Sequence, residues 1–167
     1  MKNSTDKPLV GILMGSDSDW PVMKAAADAL AEFGVASEAK VISAHRDPRG
    51  LEKYVSNAIK RGLKVIICGA GGAAHLAGVT AAFTTLPVIG VPILGKSMDG
   101  LDSLLSMVQM PPGVPVATVA VGGGRNAGIL AVQILAIGDV SLQSALVEFK
   151  KKLTAESRAK NKTLEKS

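Results

Sequence analysis

His45 is one of only two histidines in the chain, and it stands in the string Ser43-Ala44-His45-Arg46-Asp47. An imidazole titrates near neutrality, so a single side chain can both deliver and remove a proton. The planar fork of Arg46 beside it suits a phosphate or a carboxylate. The plainer alternative for both residues is the capping of a turn. A second string, Gly15-Ser16-Asp17-Ser18-Asp19, offers hydroxyls and backbone N–H groups to an anion at a helix start. Its carboxylates can instead accept hydrogen bonds from sugar hydroxyls, hold magnesium, or cap the helix. A third string, Gly69-Ala70-Gly71-Gly72-Ala73-Ala74-His75-Leu76, lets the backbone approach a ligand closely and offers its N–H groups to a small carboxylate. His75 there reads equally as a packed structural histidine and as a ligand contact.

Other chemistries are disfavoured by pattern. No Walker A loop is present, and no G-x-G-x-x-G follows the first strand. Gly69, Gly71 and Ala74 fit G-x-G-x-x-A, but after the third strand, and no acidic residue stands near Gly90 to bind a ribose. Two histidines and one cysteine give no zinc spacing, so no metal is expected. Cys68 ends the apolar run Val65-Ile66-Ile67-Cys68, which predicts a buried, inert thiol and excludes an internal disulfide. Met98, Met107 and Met110 read as core or interface filler.

The elements that must position these strings alternate. Strands are predicted at residues 9–14, 37–42, 64–68, 87–91 and 116–121. Helices are predicted at residues 20–33, 48–62, 73–83, 99–108 and 127–137, and a last one from about residue 140. Val22, Ala26, Ala29, Leu30 and Phe33 carry the helical spacing of the first. Asp19 and Asp47 are expected as N-caps, with Pro21 and Pro48 in the first turns. Near-continuous apolar strands separated by helices imply a parallel sheet covered on both faces. The fold class is α/β, a three-layer α/β/α sandwich with a flavodoxin- or Rossmann-like sheet of about five strands and an extra C-terminal helix. In such sheets ligands bind beyond the carboxyl ends of the strands, where all three strings fall.

The chain has 167 residues, the size of one domain. The division expected is a body at 8–150 and a basic tail at 151–167. Hydrophobic residues make up 47% and charged residues 20%, a globular composition. Mean hydropathy is +0.30, more apolar surface than one small core hides, which predicts oligomer interfaces. The net charge of +5 sits at the C-terminal end, because residues 150–167 hold seven basic and two acidic side chains. The basic balance therefore describes a solvated helix end rather than a nucleic-acid face. Aromatics at 3% argue against a stacking platform for nucleic acid, and no run is long enough to span a membrane. A cytoplasmic location is expected, since residues 1–7 lack the apolar core of a signal peptide.

Taken in order and at successive strand ends, these strings resemble the N5-carboxyaminoimidazole ribonucleotide mutase family of purine biosynthesis. The resemblance runs from about residue 10 to 149. It includes Met14-Gly15-Ser16-Asp17-Ser18-Asp19-Trp20, Gly90-Val91-Pro92, Asp102-Ser103-Leu104 and Val108-Gln109-Met110-Pro111 besides the strings above. The resemblance implies migration of a carboxyl group from the exocyclic nitrogen to ring carbon 4, without cofactor or metal. It implies that His45 is the acid/base, that Ser16, Ser43 and Arg46 hold the 5′-phosphate, and that Asp19 holds the ribose hydroxyls. Ala70, Gly71 and His75 would surround the migrating group. It also implies a homo-octamer with shared sites, and a functional link to the ATP-dependent synthetase that makes the substrate. A direct carboxylase branch tends to carry Lys where Arg46 stands and lacks the Gly-Gly-Ala-Ala-His string. Two departures are Ala77, where the family commonly has Pro, and a short loop at Gly122-Gly123-Gly124-Arg125-Asn126. A flavodoxin-like binding module is the alternative from another class, although few aromatics are present to flank a flavin.

Overall fold

The computed structural model describes residues 7–95 and 97–164, with side chains to residue 161. Five strands, β1 (Val10–Met14), β2 (Ser37–Val41), β3 (Val65–Gly71), β4 (Val88–Ile93) and β5 (Ala117–Thr118), alternate with helices. The helices are α1 (Trp20–Glu32), α2 (Pro48–Ser56), α3 (Leu76–Ala82), α4 (Leu101–Val108), α5 (Gly124–Ala136) and α6 (Val140–Leu164). All strand pairs are parallel, in the order β2-β1-β3-β4-β5. This is the doubly wound flavodoxin-like order, which places the topological switch between β1 and β3.

Strand alternation divides the core between two faces. Val10, Ile12 and Met14 of β1 pack with Met23, Ala26 and Leu30 of α1 and Ala127, Ala131 and Val132 of α5. Leu13 of the same strand packs on the other face with Leu51 and Val55 of α2, Leu76 of α3 and Met107 of α4. Two helical layers thus cover the sheet, as the apolar strands require. Cys68 is fully buried, and burial pushes its thiol up to about 12, in keeping with an inert side chain. Edge strand β2 carries Glu38 and Lys40, half-buried and exposed respectively, charges that discourage further pairing along that edge.

Several boundaries differ from the sequence reading, each for a local reason. Gly69, Ala70 and Gly71 are not loop but the tip of β3, paired with Val91, Pro92 and Ile93 of β4. Helix α2 ends at Ser56 rather than Gly62, and turns fill the gap to β3. Helix α3 begins at Leu76 rather than Ala73, after a turn in which Gly72 takes φ +61°, a conformation that suits glycine. Strand β5 keeps only two residues, although Val119 N–H still donates to Gly90 O and Gly122 N–H to Pro92 O. Helix α5 begins at Gly124, so Gly124, Arg125 and Asn126 are helical rather than loop. Helix α6 runs unbroken from Val140 to Leu164. Its exposed side chains to residue 161 fit a solvated helix end, and Lys162, Glu165 and Lys166 of the basic tail lie outside the residues whose side chains are described.

Candidate active site

Strand β1 makes its last pair at Met14 with Gly69, whereas β3 continues through Ala70 and Gly71 along β4. The sheet therefore steps at the switch point, and a cavity of about 690 Å³ opens above the step. That volume suits a small-molecule ligand. Ser16 and Asp19 line it from the β1 end, Ser43, His45 and Arg46 from the β2 end, and Ala70 and Gly71 from the β3 end. Seven of the eight residues expected from the sequence thus share one cavity.

The first loop is ordered by its own side chains. Ser16 caps a single 3-10 turn at Asp17–Asp19, and Asp19 returns the bond as the other half of a capping box. Asp19 was expected to cap α1, but it makes no side-chain bond to that helix. Its Oδ2 instead accepts from Ser16 N–H at 3.1 Å. Ser18 Oγ donates to Ser16 Oγ at 2.9 Å. The donors of this loop are engaged within it, Ser16 Oγ donating to Asp17 Oδ1 at 3.1 Å and Ser18 N–H to the same oxygen at 3.0 Å. Asp47 caps α2 as expected, accepting from Gly50 N–H at 2.9 Å, with Pro48 at the first helical position.

Arg46 joins the two loops. Its Nη2 donates to Gly15 O at 2.8 Å, and its backbone N–H donates to Ser43 Oγ at 3.3 Å. The guanidinium is otherwise exposed, and Arg46 lines the same cavity as Ser16 and Ser18. His45 is also exposed, and its Nε2 lies 2.9 Å from His75 Nδ1, with the two rings at 87°. His75 is neither buried nor engaged in capping α3. His75 does not itself line the cavity and meets it through His45.

Asp19 is largely buried. Burial pushes its carboxyl above the ordinary carboxylate range and the charge of Asp17 adds to this, while the N–H groups of Ser16 and Gly15 oppose it. A native carboxyl raised above its unfolded value destabilises the fold once ionised. That cost grows as pH rises through the native titration and vanishes below the unfolded value near 3.8. Asp19→Asn lacks this titration. Its Tm relative to the parent chain should climb as pH rises from about 3.8 to the native titration of Asp19, and level off above it. A pH-independent difference in thermal melts would refute this.

The sequence reading missed the fourth wall. Leu94, Gly95 and Ser97 after β4, and Asp102 in the first turn of α4, also line the cavity. The signal is in their place, since they follow β4, the strand that pairs with β3 beside the switch point. Among the described residues, no three His, Cys, Asp or Glu side chains gather as a metal-ligand set. No described helix is long and apolar enough to cross a membrane.

The family model described as AIR carboxylase matches residues 9–156. The N5-carboxyaminoimidazole ribonucleotide mutase of Mycobacterium leprae is 57% identical over 161 residues, covering 96% of this chain and 94% of that protein. The phosphoribosylaminoimidazole carboxylase of Candida glabrata is 55% identical over 95% of this chain, which spans 28% of that longer protein. The crystal structure of a Treponema denticola PurE2 variant superposes with a TM-score of 0.86 at 25% identity, covering 95% of this chain and 99% of that one. By fold, by the match of residues 9–156 and by identity over nearly its whole length, the chain belongs to the AIR carboxylase family.

Proposed function

We propose that this chain is an N5-carboxyaminoimidazole ribonucleotide mutase. The observation that carries the reading is the arrangement within one cavity. His45, the histidine lining the cavity, shares it with Ser16, Ser43 and Arg46, which suit a phosphate, and with the neutral residues Ala70 and Gly71. The Mycobacterium leprae relative, 57% identical, carries the mutase name.

The reaction divides between these groups. The 5′-phosphate of the nucleotide seats on the hydroxyls of Ser16 and Ser43 and the guanidinium of Arg46. The Asp19 carboxylate, which keeps lone pairs beyond those that Ser16 and Gly15 engage, accepts from the ribose hydroxyls. The bond between the exocyclic nitrogen and the carboxyl carbon then breaks. Its electron pair stays on nitrogen, which takes a proton from His45, and carbon dioxide is released into the cavity. Ring carbon 4 attacks the trapped carbon dioxide, and the new carboxylate is met by backbone N–H groups near Ala70 and Gly71. Carbon 4 finally gives its proton to His45, which restores the starting state. Atoms and charge balance without any added reagent, so the proposed reaction is cofactor-independent. Apolar walls suit a small neutral intermediate, whereas a charged wall would favour hydration.

The test is a direct assay of the purified protein. N5-carboxyaminoimidazole ribonucleotide alone should give 4-carboxy-5-aminoimidazole ribonucleotide. The name of the Candida glabrata relative favours a second reading, direct carboxylation of aminoimidazole ribonucleotide. If product forms only from aminoimidazole ribonucleotide and bicarbonate, that reading replaces the first.

The same proposal includes assembly as a homo-octamer in the cytoplasm, acting after an ATP-dependent synthetase that supplies the substrate. Apolar side chains lie uncovered beside the cavity mouth, with Leu94 65% exposed and Leu101, Leu105 and Val108 forming a stripe on α4. Ile137 before α6 is 81% exposed. Such surface is unusual for a monomer. A stable monomer in multi-angle light scattering would overturn the assembly. We further take residues 8–150 as one body and residues 151–167 as its basic tail, dispensable for turnover. Truncation after Lys152 that abolishes activity in a folded protein would contradict the last point.

A further inference from the structure

We propose that Glu38, Tyr54 and Arg61 form a brace that positions the loop carrying Ser43, His45 and Arg46. The catalytic consequence rests on the mutase reading, but the brace itself stands on geometry.

The loop hangs between two arms, the end of β2 at Val41 and the start of α2 at Pro48. The first arm is held by the sheet, where Ile42 N–H donates to Met14 O at 2.9 Å. The second is held by burial of Leu51 and Val55 in the cluster that includes Leu13. Burial is non-directional, so by itself it allows a helix small slides and rolls on the sheet. A hydrogen bond fixes distance and angle. Among the described residues, one side-chain hydrogen bond ties α2 to the sheet: Tyr54 O–H donates to Glu38 Oε1 at 2.6 Å. Arg61, in the turns after α2, donates Nη1 to the same carboxylate oxygen. Its guanidinium lies over the Tyr54 ring, 4.3 Å from the centroid. Strand β2, helix α2 and the turn that follows it thus converge on one carboxylate.

The sequence makes room for this contact. Glu38 pairs with Gly11 of β1, and a Cβ at residue 11 would come 2.7 Å from the Tyr54 hydroxyl. Burial and the Glu38 carboxylate push the Tyr54 phenol up, so it keeps its proton and stays a donor. Burial opposes ionisation of Glu38, but the hydrogen bonds from Tyr54 and Arg61 outweigh it and hold the carboxyl below its ordinary range. Bonds to a charged acceptor are the stronger kind.

The brace reaches the cavity through the start of α2. Asp47 ties the loop to the first turn, accepting from Gly50 N–H on its side chain and from Leu51 N–H on its carbonyl. Asp47 N–H in turn donates to Ser43 O at 2.9 Å. A shift of α2 is therefore passed to Ser43, His45 and Arg46, which line the cavity. Glu38, Tyr54 and Arg61 do not line it, so they act through the loop and not on the substrate.

The test centres on Tyr54→Phe, which deletes one hydroxyl and keeps the ring under Arg61. Well below its melting temperature, this variant should lower kcat by about 3- to 10-fold and raise KM by a similar factor. Misplacing a positioned group is costly, and one loop holds both the acid/base and the phosphate contacts. Glu38→Gln keeps an acceptor oxygen for Tyr54 and should stay within about 2-fold of the parent. Val132→Ala, in the core on the other face of the sheet, should lower Tm without changing kcat or KM. In the ligand-free proteins, the amides of Arg46 and Asp47 should exchange with deuterium about 10-fold faster in Tyr54→Phe. Those of Gly15 and Gly122, bonded in other loops of the rim, should keep parental rates. Parental kcat and KM in Tyr54→Phe, the same kinetic loss in Val132→Ala, or exchange that rises equally at all four amides would each overturn the proposal. Deuterium exchange needs no substrate. A parent protein that turns over none, yet shows the localised exchange, would remove the mutase reading and leave the brace standing.

Discussion

His45→Asn should lower kcat by about 100- to 10,000-fold, the range typical of a lost general acid/base, while KM stays within a few-fold. His45 lies at the cavity wall, whereas the proposed phosphate contacts come from Ser16, Ser43 and Arg46, so ground-state binding is carried by other side chains. The backbone of its loop is held independently, through Arg46 N–H to Ser43 Oγ and through Asp47 to Gly50 N–H. His45 itself is exposed. Its replacement should therefore leave Tm nearly unchanged, which separates chemical from structural loss. Steady-state kinetics with a thermal melt on the same preparation checks both halves. Near-parental kcat would remove His45 from the proton-transfer role.

Gly128→Val should destabilise the fold by about 3 kcal/mol, at the upper end for overpacking a tight interface. That corresponds to a Tm lowered by roughly 6–12 °C for a domain of this size. Helices α1 and α5 lie against one another through small residues. A Cβ on Gly128 would come 2.6 Å from Ala26 O and 2.9 Å from Ala29 Cβ, and one on Gly124 would come 2.2 Å from Val22 O. The obstructing atoms are mostly backbone, which cannot swing aside as a flexible side chain can. Gly138 makes the control, since a Cβ there meets nothing within 4 Å. Scanning calorimetry in which Gly128→Val melts with the parent would show that the helices separate at little cost, contrary to the packing described.

The same glycines explain where the sequence was and was not legible. Apolar runs at β1, β3 and β4 and the caps before α2 depend on neighbours in the chain, so composition and spacing suffice to find them. Gly124 and Asn126 are poor helix formers by local propensity and follow two further glycines, so the stretch reads as loop. They are helical because absent side chains let α5 settle on α1, a contact with residues about 100 positions away. Gly69, Ala70 and Gly71 misread in the same way. β4 pairs with them and extends β3 past its end beside β1, and that step makes the cavity. The candidate site was legible because a doubly wound sheet places every strand's end on one rim. What spacing alone could not provide was the approach of His75 to His45 across β1, or the wall from Leu94 to Asp102. Both depend on how far loops lean, and that is set by tertiary packing. Asp19 shows the limit of assigning roles by residue type. Its cap expectation was reasonable, yet its carboxylate turns back to Ser16 rather than forward to α1.

The central claim is that one cavity breaks a nitrogen–carboxyl bond and remakes it at carbon without losing the carbon dioxide between. The measurement that tests it most directly is carbon NMR of the purified protein turning over carboxyl-labelled N5-carboxyaminoimidazole ribonucleotide in unlabelled bicarbonate buffer. The account predicts label at the carboxylate on ring carbon 4, nearly undiluted. Label lost to the bulk, with unlabelled product formed from aminoimidazole ribonucleotide and bicarbonate, would contradict it.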